Sequence, residues 1–160
     1  MDEESLHKAW CGTSNNMYAL DYKGDIYTCI RFMESSLNQE PIIIGNIKHG
    51  IGITNKEQKW LSEFKKCERC NIFDNECLNC PIAKNCSYCL GCNYEQTGNL
   101  ISHPKTVCNE IKIEALATIY YYKLINDKKS YDKIQKFSYD FVNNLISKEE
   151  YNYLINWKEE

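Results

Sequence analysis

The sequence has no surplus of positive charge: 19 lysines and arginines stand against 22 acidic residues, a formal net charge of -3. A nucleic-acid module neutralises phosphates with a clear basic excess, so the balance argues against such a partner. No run reaches the roughly 18 consecutive apolar residues of a bilayer span, and no membrane helix is expected. The opening MDEESLHKAW is acidic and polar, without the basic and then apolar stretches of a secretory signal, so a cytoplasmic protein is expected. There is no Ser/His/Asp constellation and no glycine loop for phosphate. His7, His49 and His103 are scattered, none at a ligand spacing to a cysteine pair, and each is expected at the surface or in a cap.

Cysteine, by contrast, is abundant. The 160 residues include ten, at Cys11, Cys29, Cys67, Cys70, Cys77, Cys80, Cys86, Cys89, Cys92 and Cys108, and seven of them crowd between Cys67 and Cys92. Thiols stay reduced in the cytosol, so a disulfide framework is not the expected reason for them. Metal is. Four C-x2-C steps occur, Cys67/Cys70, Cys77/Cys80, Cys86/Cys89 and Cys89/Cys92, and two thiolates so spaced can wrap one metal centre. Two all-cysteine zinc sites would use eight thiolates, with Cys67/Cys70 and Cys77/Cys80 as one compact knuckle. Zinc modules seldom continue as C-x5-C-x2-C-x2-C, and cubane clusters also take four thiolates each, so the density favours iron–sulfur while zinc stays open. The run from Cys86 to Cys92 begins like a bacterial ferredoxin loop, but the Cys-Pro that loop needs is absent at Gln96.

With 43% hydrophobic residues the length suits one domain with an apolar core. Residues 17–32 predict a β-hairpin: Tyr18, Leu20 and Tyr22 share a face, and Lys23-Gly24-Asp25 turns the chain. Asp21 and Asp25 flank that turn, which accounts for both. Ile26, Thr28, Ile30 and Phe32 alternate with Tyr27, Cys29 and Arg31, so Cys29 is expected to point away from the Ile/Phe face, back at the level of Cys11. Ile42 to Ile44 predict a short strand ended by Gly45-Asn46. Thr54 with Glu57 forms a capping box before a helix carrying Trp60, Leu61 and Phe64. Ile111, Ala115, Ile119, Tyr122 and Ile125 mark a long amphipathic helix, and Ile134, Phe137, Phe141 and Leu145 a second one opened by Ser130. Ser147 with Glu150 caps a last helix bearing Tyr151, Leu154 and Ile155, ahead of a solvated WKEE tail. These aromatic stripes are expected to be core. The fold class is α+β: a small β-hairpin, a cysteine-rich cluster-binding loop region and C-terminal α-helices.

The order Cys11-x12-Gly24-x4-Cys29, a gap, Cys77-x2-Cys80-x5-Cys86, a gap and Cys108 resembles the SPASM domain. That domain is the C-terminal extension of radical SAM enzymes that modify peptides and proteins, and it holds auxiliary [4Fe-4S] clusters. The phrase CPIAKNCSYCLGCNYE looks closest to maturases of cysteine-rich, CXXX-repeat peptides. The resemblance covers roughly residues 10–125. It implies a twin-cluster domain over 1–126, with 127–160 as a C-terminal helical extension. It also implies that Cys77, Cys80, Cys86 and Cys108 hold auxiliary cluster II, while Cys11, Cys29 and a cysteine just after Cys86 serve auxiliary cluster I. The family commonly has C-x3-C at that last point. Here Cys89 and Cys92 stand on either side of it; Cys89 is the expected ligand and Cys92 a spare. Many relatives supply a fourth ligand upstream of Cys11. Cys67 or Cys70 takes that place here, Cys70 being favoured, or the iron keeps an open site for a substrate thiolate.

One family element is missing. Radical SAM catalysis uses a C-x3-C-x2-C loop to bind S-adenosylmethionine, and no three cysteines here have that spacing. The roughly 200 residues of a partial barrel are absent as well. The implied partners are therefore a radical SAM core domain or subunit and a cysteine-rich precursor peptide. The implied role is substrate binding and electron relay, with no nucleic acid and no membrane. A zinc-binding interaction module and a free-standing ferredoxin-like electron carrier are the alternatives.

Overall fold

The computed structural model describes residues 3–8, 11–14 and 16–156. The chain forms two compact units, Met1–Asn75 with Ser87–Pro104, and Glu76–Cys86 with Lys105–Glu160. The expected α+β class holds, with a four-stranded antiparallel sheet and several helices.

The first unit opens with one helical turn, α1 (Glu3–Leu6), and carries the sheet in the order β1 (Ala19–Leu20), β2 (Asp25–Tyr27), β3 (Gly45–Asn46) and β4 (Gly50–Ile51). The hairpin of β1 and β2 pairs Ala19 with Tyr27 and Leu20 with Ile26. Its turn is held by Asp21, whose Oδ1 accepts from the backbone amides of Lys23 and Asp25, both at 2.9 Å. Gly24 supplies φ 85, and a Cβ there would meet the Ile47 side chain at 2.7 Å. The strand is shorter than expected. Cys29 is extended, and the chain then winds into a 3-10 turn, Ile30–Phe32. The two-residue alternation stops there, so Ile30 is exposed while Phe32 and Tyr27 are buried.

The expected strand at Ile42 to Ile44 is displaced by a few residues. The paired residues are Gly45 and Asn46, opposite Ile51 and Gly50. Gly45 is a requirement of this pairing, because a Cβ there would stand 2.5 Å from the Gly50 carbonyl oxygen. Ile42 and Ile44 precede the strand and are fully buried. The capping box forms as expected: Thr54 Oγ1 accepts from the Glu57 amide and Glu57 Oε2 from the Thr54 amide, opening α2 (Asn55–Lys65). Phe64 of α2 meets Phe32 edge to face at 5.1 Å between centroids. After α3 (Arg69–Ile72) comes α4 (Asn75–Leu78), whose last three residues lie in the second unit. The first unit closes with α5 (Leu90–Thr97), ended by left-handed Gly98, with Tyr94 6.2 Å from Phe32.

The second unit is built on α6 (Cys108–Leu124), whose Ile111, Leu116 and Ile119 are buried with Ile82, Phe137, Val142 and Tyr151. Ala115 packs against this cluster as the periodicity predicts, whereas Ile125 lies past the helix end and is exposed. No continuous helix runs through Ile134, Phe137, Phe141 and Leu145. Asp127, rather than Ser130, caps a single turn, α7 (Lys128–Tyr131), and a 3-10 turn, Tyr139–Phe141, follows. The stretch FSYDFVNN is poor in strong helix formers, and its Ser, Asp and Asn side chains compete with helical bonding. Those four apolar residues reach the core without the helix. The Ser147/Glu150 box opens α8 (Lys148–Asn156) as expected, and Tyr151 donates from its hydroxyl to the Phe137 carbonyl. The tail 157–160 lies outside the described residues. No described helix is long and apolar enough to cross a membrane.

Candidate metal centre

None of the ten cysteines is in a disulfide, and the two units divide them unequally. The second unit contains Cys77, Cys80, Cys86 and Cys108; the first contains Cys11, Cys29, Cys67, Cys70, Cys89 and Cys92.

In the second unit three of the thiols lie on consecutive tight turns. The Cys80 amide donates to the Cys77 carbonyl at 3.1 Å, and the Ala83 amide to the Cys80 carbonyl at 3.0 Å, before the 3-10 turn Ala83–Asn85 delivers Cys86. Cys108 arrives from far along the chain as the first residue of α6. Cys80 and Cys86 pack against the apolar cluster that α6 organises, so the same burial that fixes the helix fixes this loop. Burial pushes the Cys108 thiol up; Lys105 opposes the shift, and the nearby Cys80 sulfur adds to it. Lys105 Nζ also donates to Cys77 Sγ at 3.2 Å and pairs with Glu76.

In the first unit the thiols come from several elements. Cys89 occupies the cap position of α5 and Cys92 its first turn, so their i, i+3 spacing sets them on one helix face. Burial, and then the charge and hydrogen bond of Cys89, push the Cys92 thiol up, with Arg31 opposing. Arg31 Nη2 donates to Cys92 Sγ at 3.6 Å and to Glu95 Oε2 at 2.8 Å. Gly91 lets the arginine lie there, since a Cβ on it would stand 2.5 Å from Arg31 Cβ. Cys67, at the end of α2, is buried and donates to the Glu63 carbonyl at 3.4 Å. Burial, then the Glu63 carboxylate and Cys11, push its thiol up to about 12. Cys67 and Cys11 therefore share a neighbourhood, and Cys11 itself hydrogen-bonds Thr13 Oγ1 at 2.9 Å. Cys29 is half-buried where β2 gives way to the 3-10 turn.

Cys70 stands apart from these. It is exposed at the start of α3, 3.6 Å from Glu68 Oε2 and 3.8 Å from His7 Nδ1, while His7 and Glu68 pair at 3.0 Å. Sequence spacing gave no sign of this trio, because His7 and Glu68 lie 61 positions apart and meet through the packing of α1 on α3. Arg31 was equally hidden, being read only as one member of a strand alternation. His49 and His103 have local duties: His49 pairs with Glu57 at 3.0 Å, and His103 stacks near Phe73 and Tyr88.

Cys67, Cys70, Cys92 and Cys108 are all shifted upward, so as free groups they hold their protons at neutral pH. Burial is the first cause of each shift, so a cation bound at these sulfurs would have to displace their protons. No known protein family, no curated protein and no solved structure matches the chain.

Proposed function

We propose that the chain is an auxiliary-cluster domain that holds two [4Fe-4S] clusters and works with a radical SAM core, as a separate domain or subunit, on a cysteine-rich precursor peptide. The observation that carries this reading is the division of the thiols. A cubane cluster takes four thiolates, and the second unit has four cysteines, Cys77, Cys80, Cys86 and Cys108. Cys108 lies 22 positions past Cys86, too far for any local spacing rule, yet it belongs to the same unit. These are the four that the resemblance to SPASM domains assigns to one cluster. In the first unit Cys11, Cys29 and Cys89 would hold the other cluster, with Cys67 or Cys70 in the fourth place. The donor chemistry fits: apart from exposed Cys11 and Cys70 the sulfurs are buried or half-buried, with Lys105 beside one set and Arg31 beside the other to offset thiolate charge. Bound clusters would supply one-electron transfer. The chain's own residues would fix their ligands, and Arg31, locked by Glu95, would hold a positive charge at the α5 sulfurs.

Anaerobic reconstitution tests the reading. The expected product is brown, with about eight iron and eight sulfide per chain and broad absorption near about 400 nm. A colourless protein with about two zinc and no sulfide contradicts it and favours an interaction module. Reversible one-electron titration with no affinity for any cysteine-rich peptide favours a free-standing electron carrier instead.

A further inference from the structure

We propose that His7, Glu68 and Cys70 form a separate site for one zinc-type divalent cation, liganded by Nδ1, Oε2 and Sγ. The inference goes beyond the cluster reading and bears on it at one point, since Cys70 can serve only one centre. The three atoms make a triangle with edges of 3.0 Å (N to O), 3.6 Å (S to O) and 3.8 Å (S to N). Tetrahedral zinc, with bonds of about 2.3 Å to sulfur, 2.05 Å to nitrogen and 2.0 Å to oxygen, spans edges of about 3.3, 3.5 and 3.6 Å. Each observed edge agrees to about 0.3 Å, before any ion has drawn the ligands in. Hydrogen bonds to the shared carboxylate account for the two edges at Glu68. The sulfur and the imidazole are themselves within hydrogen-bond reach of each other, so the three donor atoms converge pairwise on one point, as a shared cation requires.

The donor set selects the metal. Magnesium and calcium take oxygen ligands and leave thiolates alone, and copper(I) favours sulfur throughout; one sulfur, one imidazole and one carboxylate suit zinc. Thiolate and carboxylate together bring two negative charges, which a divalent ion neutralises. The side chains are open to water, with His7 62% and Glu68 37% exposed, so solvent would complete the tetrahedron. The site also has a structural use. Helices α1 and α3 are four residues each, too short to persist alone, and the cation would tie one to the other. With Cys70 so engaged, buried Cys67, beside Cys11, becomes the fourth thiol of the first unit's cluster.

The test loads the full chain with iron and sulfide anaerobically, adds zinc, and measures all three elements in the parent, His7→Ala and Cys70→Ser. One zinc per chain is expected in the parent. His7→Ala should weaken zinc binding by more than the roughly 10- to 100-fold typical of outer-shell losses, with iron and sulfide unchanged. His7 is exposed, so its truncation leaves the fold intact; an unchanged circular dichroism spectrum serves as the control. Cobalt in place of zinc should show thiolate charge transfer in the parent and lose it in Cys70→Ser. Undiminished zinc binding by His7→Ala overturns the proposal, as does loss of iron rather than zinc from Cys70→Ser. Iron-free protein that still binds one zinc through Cys70 upholds this site and sinks the cluster reading; full iron without zinc does the reverse.

Discussion

The two units reach cysteine-rich surroundings by opposite routes. In the second, three thiols follow one another through turns between Cys77 and Cys86, and only Cys108 comes from a distance, on the first turn of the helix that organises the core. In the first, six thiols come from the segments around α1, β2, α2, α3 and α5, and tertiary packing must gather them. The contrast extends to charge. Lys105 serves the compact set from the surface, whereas Arg31 is held against the dispersed set by Gly91 and Glu95. A local ligand array tolerates loose surroundings; a dispersed one depends on every element that delivers a sulfur.

Core truncations should separate the two units most sharply. Phe32 joins the 3-10 turn after Cys29 to α2 and α5, so Phe32→Ala should cost about 3–5 kcal/mol and scatter the first unit's thiols. Leu116→Ala should cost about 2–5 kcal/mol in the second unit, where Cys80 and Cys86 rest on the same core. Denaturant unfolding followed by thiol-labelling rates at each cysteine checks both. Phe32→Ala should raise labelling at Cys29 and Cys67 while sparing Cys86, and Leu116→Ala the reverse; equal exposure of both sets by either change would erase the distinction.

Cap removals should have smaller effects. Thr54→Ala removes an amide partner from α2, and Ser147→Ala does the same for α8, each at about 1 kcal/mol by chemical denaturation. Acid should separate the units further. Glu57 is buried, and the Thr54 amide, followed by His49 and the Ile53 amide, holds its carboxyl below the usual range against its desolvation. Its contribution is present above the ordinary carboxylate range and disappears as pH falls through the lowered value. Glu57→Gln should therefore flatten the acid limb of the first unit's stability curve, measured by urea denaturation from pH 7 to pH 3. An unchanged slope would show that the carboxyl carries no such linkage.

Local rules made parts of this structure legible and tertiary ones hid the rest. Both capping boxes, the Gly24 turn and α6 follow from residues within a turn or two of each other. The stretch from Ile134 to Leu145 misled because an irregular segment can bury the same four apolar side chains that a helix would. The strand at Gly45 and Asn46 was shifted because its glycine answers to a neighbour, β4, that the local pattern does not reveal. At the candidate sites, C-x2-C spacing made the cysteines candidate metal ligands from the sequence alone. It said nothing of Arg31 beside Cys92 or of His7 beside Cys70, contacts between residues more than 60 positions apart.

We propose that the two thiol sets hold separate clusters. Iron counting in single variants tests it most directly: anaerobically reconstituted Cys108→Ser and Cys29→Ser should each retain about four of eight iron atoms, with the remaining cluster intact by electron paramagnetic resonance after reduction. Loss of all iron from either variant, or of none from both, would show that the two sets do not hold separate clusters.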